Sequence, residues 1–118
     1  MPNYIFPLIP DAAKEAVAGA GSAQALSIET YLSEITTTGA QSFTLADASK
    51  VGHLKKVLCE SRTTGDGTLT PTTFADGTSL TFAAAGEFAV LMWTGDAGWR
   101  LIESGDDANG DGSGPAVS

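Results

Sequence analysis

Along most of this chain the apolar residues fall in short runs with a period of two, and glycine and aspartate separate the runs. The clearest run is 87–93, where Phe88, Val90 and Met92 alternate with Ala89, Leu91 and Trp93. Both of its faces are apolar, which predicts a strand at the centre of a sheet or at a subunit interface. Similar runs lie at 42–45, 53–61, 68–70, 79–82 and 99–103. Turn signals stand between them: Gly39-Ala40, Asp47-Ala48, Gly65-Asp66-Gly67, Asp76-Gly77, Gly86, Gly95-Asp96 and Gly98. No long helical period interrupts this series. About six or seven short strands with such punctuation predict an all-β fold, a small antiparallel β-sandwich or barrel of the jelly-roll kind. The segment 94–98 reads as the hairpin loop that joins the 87–93 strand to Trp99, Leu101 and Ile102.

Upstream the pattern is less regular. Over 25–38, Leu26, Ile28, Thr30 and Leu32 alternate with Glu29, Tyr31, Ser33 and Ile35. The β-branched Thr36, Thr37 and Thr38 that follow favour one strand over a helix. In front of it, Asp11 is placed to cap a short helix over Ala12–Ala18, with Gly19 as its stop; the other reading is a flexible Ala/Gly linker. Prolines at Pro2, Pro7 and Pro10 make the first ten residues an extended arm. Its Tyr4, Ile5, Phe6, Leu8 and Ile9 are costly to leave in water, so the arm is expected to pack on its own domain or on a partner. The stretch from Gly105 onward holds Gly, Asp, Asn and Ser with little to bury, and intersubunit contacts are the simplest expectation for ordering it. The organisation expected is an arm and linker at 1–24, a β domain at 25–104 and an acidic Gly-rich tail at 105–118.

A chain of 118 residues and 12.0 kDa has room for one domain. Small uncharged residues dominate it, only 17% of positions are charged, and the mean hydropathy is +0.06. Such a chain is too apolar for general disorder and too polar for a bilayer. Its net charge of −8 repels nucleic acid and anionic lipid, and its longest apolar run is far short of the ~20 residues that a membrane helix needs. One cysteine, Cys59, forms no internal disulfide, and the first residues lack the basic start of a secretory signal, so synthesis in a reducing cytoplasm is expected.

Candidate chemistry is sparse. His53 and Cys59 sit six residues apart on one predicted strand, about 20 Å along it, too far for a dyad and too few for a zinc site. Cys59 reads as a packed strand residue. The acids Asp66, Asp76 and Asp96 stand beside glycine in turns, where a carboxylate bonds local amides. Asp107-Ala108-Asn109-Gly110-Asp111-Gly112 begins like a calcium loop, but Ser118 replaces the bidentate glutamate at its twelfth position, leaving at most a weak site. Trp93 and Trp99 read as cross-strand core packing, or alternatively as a platform for a sugar. Nothing here assembles a nucleophile with its base, so no enzyme activity and no cofactor are expected.

Taken together, Gly39-Ala40-Gln41-Ser42-Phe43-Thr44-Leu45, Val51-Gly52-His53-Leu54-Lys55-Lys56-Val57, Thr68-Leu69-Thr70-Pro71, Gly77-Thr78-Ser79-Leu80-Thr81-Phe82 and Val90-Leu91-Met92-Trp93-Thr94-Gly95 with Trp99 resemble a β-rich module of small virion proteins from tailed phages, particularly those of marine and cyanobacterial hosts. The resemblance covers about residues 25–104. It implies a non-enzymatic capsid decoration (cement) or head-fibre protein, often trimeric, assembled in the host cytoplasm and bound to the major capsid protein on the virion surface. The other role of this kind is a carbohydrate-binding host-adhesion module. On this reading the arm residues Tyr4, Ile5, Phe6, Leu8 and Ile9 reach the capsid, while Phe88, Val90, Met92, Trp93 and Trp99 fill the domain or oligomer core.

Overall fold

The computed structural model describes residues 12–106 and 114–118. These form ten strands and no helix: β1 (Ala12–Ala18), β2 (Gln24–Leu26), β3 (Thr30–Thr37), β4 (Gln41–Leu45), β5 (Leu54–Arg62), β6 (Gly67–Pro71), β7 (Leu80–Phe82), β8 (Glu87–Trp93), β9 (Trp99–Asp106) and β10 (Ala116–Val117). They build two five-stranded sheets, ordered β1-β3-β5-β8-β9 and β10-β7-β6-β4-β2. The all-β sandwich expected from the run spacing is the fold found.

Strand direction departs from the expectation. From β1 to β6 the chain alternates between the sheets, so that β1, β3 and β5 run parallel in one and β2, β4 and β6 run parallel in the other. Ala12 stands beside Thr30 and Leu32 beside Lys56, so the coil advances 18 residues in one turn and 24 in the next. Parallel neighbours need a long crossover. Here a strand of the opposite sheet supplies it. The turn signals at Gly39-Ala40 and Asp47-Ala48 therefore send the chain to the other sheet instead of folding it back as a hairpin. The antiparallel pairings are β5–β8, β8–β9, β6–β7 and β7–β10, which makes both sheets mixed rather than antiparallel.

Three local expectations are corrected. Ala12–Ala18 is strand β1, not a helix or a linker: Glu15 and Val17 turn inward while Lys14, Ala16 and Ala18 face out. A lone seven-residue helix is marginal in water, whereas the edge of β3 offers this segment a full ladder. The single strand expected over 25–38 is two strands, because 27–29 crosses between sheets, where the Ser27 hydroxyl accepts the Glu29 amide at 2.9 Å. The crossing also shifts the phase, so Thr30, Ser33, Ile35 and Thr37 are the buried residues of β3. The tail returns to its own chain. Ala116 and Val117 pair with Thr81 and Leu80, and the Ser118 amide donates to the Ser79 carbonyl at 3.0 Å, so residues 116–118 add an edge strand to the second sheet. The β unit thus includes β1 and β10, beyond the 25–104 expected.

Between the sheets lie Ile35, Val57, Cys59, Ala89, Leu91, Trp93 and Trp99 from one side and Leu26, Phe43, Leu45, Leu69, Leu80 and Phe82 from the other. Burying each large apolar side chain contributes about 1.5–3 kcal/mol. The 94–98 hairpin forms as expected, with Trp93 opposite Trp99 and positive φ at Gly95 and Gly98.

Candidate functional site

Two features rise above ordinary packing, and both involve β5. The first is Lys55. Its in-phase neighbours Val57 and Cys59 lie in the core, so strand alternation carries the lysine inward as well, and its side chain has no exposed surface. The ammonium donates to the carbonyls of Ser27 (2.6 Å) and Thr30 (3.0 Å) and to the hydroxyls of Thr30 (3.0 Å) and Ser33 (2.6 Å). Glu15 Oε2 lies 4.0 Å away and accepts the Ser27 amide at 2.7 Å and the Ser33 hydroxyl at 2.5 Å. Burial pulls the Lys55 pKa from 10.5 down to about 8, against the Glu15 carboxylate, which raises it.

A serine hydroxyl 2.6 Å from a lysine of lowered pKa is the pairing of a Ser–Lys nucleophile and base. Chemistry of that kind is not available here. The Ser33 proton points to Glu15, the ammonium faces four oxygens with three protons, and neither side chain reaches the surface. The cluster is a clamp. It joins β1, the 27–29 crossing, β3 and β5 through charge and hydrogen bonds where apolar contact is thin. Sequence reading passed over it, although one signal was present: Lys55 stands two residues before Val57 and four before Cys59, in phase with a core face.

The second feature is the outer face of the first sheet. Cross-strand pairs Leu54↔Met92, Lys56↔Val90 and Leu58↔Phe88 alternate with the inward pairs, so these six side chains share the solvent side of β5 and β8. Leu54 and Val90 are buried there, while Leu58, Phe88 and Met92 are half-buried. The Phe88 ring lies against Gly105 of β9, where a Cβ would come within 3.0 Å of it, and Lys56 Nζ lies 4.7 Å from the ring centroid. At the margin burial raises the Tyr31 phenol's pKa, and Glu103 adds to the effect. Ile102, the unpaired residue at the β8–β9 bulge, is 48% exposed beside the strip. The second sheet contrasts with it. Its outer face carries the hydroxyls of Ser42, Thr44, Thr68, Thr70 and Thr81, which water satisfies readily.

Of the residues singled out by sequence, Phe88, Val90 and Met92 therefore meet on one outer face. Trp93 and Trp99 lie on the opposite side of the same hairpin, inside the core. Trp99 is fully buried, donates its indole N–H to the Ala46 carbonyl at 2.9 Å and meets Trp93 edge-on at 5.5 Å. Neither indole offers a face to a sugar, which removes the platform reading. His53 packs edge-on to Trp99 and bonds the Ile28 carbonyl through Nε2 at 3.0 Å. Cys59 is buried, and burial, with the Glu87 carboxylate adding to it, pushes the thiol up to about 11. Asp76 binds the Leu101 amide at 2.7 Å and Asp66 pairs with Arg62 at 2.9 Å, so both turn acids serve local structure. The arm residues Tyr4, Ile5, Phe6, Leu8 and Ile9 and the calcium-loop pattern 107–112 lie outside the described residues. A scan against protein-family models and a search of curated proteins both find no match for this chain.

Proposed function

We propose that this chain is a non-enzymatic structural subunit of a phage virion, a capsid decoration protein that associates with its own copies and attaches to the major capsid protein. The observation that carries the reading is the apolar strip of Leu54, Leu58, Phe88, Val90 and Met92 on the solvent side of the first sheet. A strand with apolar side chains on both faces is the mark of a surface covered in the assembled state. The motif resemblance over 25–104 supports the same class, and so does the arm, whose Tyr4, Ile5, Phe6, Leu8 and Ile9 supply an apolar peptide suited to a groove on a neighbour. Many weak attachments on a repeated lattice add to durable binding. The acidic body then faces solvent.

The test is co-sedimentation with shells assembled from a tailed-phage major capsid protein. The full chain is expected to pellet with the shells, and a chain lacking residues 1–10 is expected to keep its β circular dichroism and stay in the supernatant. A full chain that does not pellet overturns the proposal. A truncated chain that still pellets overturns the role given to the arm.

A further inference from the structure

We infer that β1 is an exchangeable strand, passed between copies of this chain into the slot beside β3, with Glu15 as the group that the slot recognises. The inference concerns association in the purified protein and does not depend on the capsid reading.

The slot is built to receive one particular strand. Its floor holds the Lys55 ammonium, the Ser33 hydroxyl and the Ser27 amide, and all three converge on Glu15. Without β1 the Lys55 ammonium, which sits inside the fold when β1 is in place, has no counter-charge, a situation that folded proteins avoid. A strand that enters must therefore carry a carboxylate at the position opposite Ser33. The β1 of a second copy satisfies that requirement by identity, because its register, carboxylate and Val17 contact are the same.

Beyond Glu15, the β3 ladder and the exposed Lys14–Glu34 pair at 3.2 Å, β1 has little to hold it to its own chain. Among the side chains described for it, Val17 is its only apolar contact with the core, and it is partly buried. Its pairing is with β3 alone, at the end of the sheet. The connection to β2 begins at Gly19, whose amide donates to the Thr36 carbonyl at 2.8 Å, and then runs through Ala20, Gly21, Ser22 and Ala23, all small and all exposed, where a Cβ on Gly21 would meet nothing. Exchange reproduces every contact of β1 in the partner, so the change in free energy reduces to the hinge and to whatever new surface the copies share. The apolar strip on β5 and β8, in the same sheet, is available as that surface.

Disulfide trapping tests this. Ala16 and Glu34 are register partners across β1 and β3 and both point outward, so cysteines placed there meet at bridging distance. The buried Cys59 stays out of the reaction. In the full chain carrying both A16C and E34C, oxidation is expected to give covalent oligomers on a non-reducing gel. Mixed single variants, A16C with E34C, are expected to give the mixed dimer in preference to either like pair. The added change Glu15→Gln is expected to lower the yield of mixed dimer. A double variant that oxidises only to a monomer, with no mixed dimer from the single variants, overturns the inference. Should the double variant fail to fold, the single-variant mixture decides alone.

Discussion

Lys55 shows how a single residue can carry structural weight that composition hides. Its lowered pKa has a defined thermodynamic consequence. Between about 8, its value in the fold, and 10.5, its value in the open chain, the unfolded state binds the proton more tightly, so the contribution of this group to stability rises with pH across that window. The expected result is a stability slope over pH 8 to 10.5 in denaturant titrations that is more positive in the native chain than in Lys55→Met. Cys59 acts in the opposite sense between 9 and about 11, because the fold holds its proton longer than the open chain does. That term is common to both chains and cancels in the comparison. Removing the counter-charge is a second test. Glu15→Ala leaves the Ser27 amide and the Ser33 hydroxyl without their acceptor and should cost about 1–3 kcal/mol. It should also move the Lys55 titration, read by side-chain NMR, further below 8, since Glu15 is the group that raises it.

At the scale of elements, the β8–β9 hairpin was legible in the sequence because its signals are local. Gly95 and Gly98 both adopt positive φ, and the Gly98 carbonyl accepts the Thr94 amide at 3.0 Å and the Thr94 hydroxyl at 2.6 Å. Gly98→Ala is expected to destabilise the fold by about 1–3 kcal/mol in chemical denaturation, through strain at φ +93 and a clash of the added Cβ with the Thr73 carbonyl oxygen. A change within a few tenths of a kcal/mol would contradict this geometry. Strand β1 was not legible, for the opposite reason. AAKEAVA has helix-forming residues, and only the free edge of β3, supplied by residues later in the chain, makes it a strand. The break at 27–29 was hidden likewise. Ser27, Ile28 and Glu29 continue the alternation on paper, but the Ser27 amide is drawn to Glu15 and leaves the ladder.

For the whole molecule, run spacing gave the class of fold but not the path of the chain. Gly/Asp turns look alike whether they reverse a strand within one sheet or carry it to the other, and only the depth of the coil, 18 to 26 residues between register partners, separates the two. The outer strip was legible in part: alternation placed Phe88, Val90 and Met92 on one face, yet Trp93 and Trp99, grouped with them by sequence, belong to the core on the other side. This division separates two effects of mutation. Met92→Glu on the outer face is expected to leave the thermal midpoint within a few degrees of the native chain while reducing association, because its side chain is only half-buried. Trp99→Ala is expected to cost about 3–5 kcal/mol in folding, because Trp99 is fully buried.

On the proposed function, copies of the same chain cover the apolar face of the first sheet. The measurement that meets it most directly is the solution mass of the purified protein by light scattering after size exclusion, for the native chain and Met92→Glu. The expected result is a native trimer of about 36 kDa, three times the 12.0 kDa chain, that falls toward the mass of a single chain in the variant. A native chain that elutes as a 12.0 kDa monomer across the accessible concentration range would contradict it.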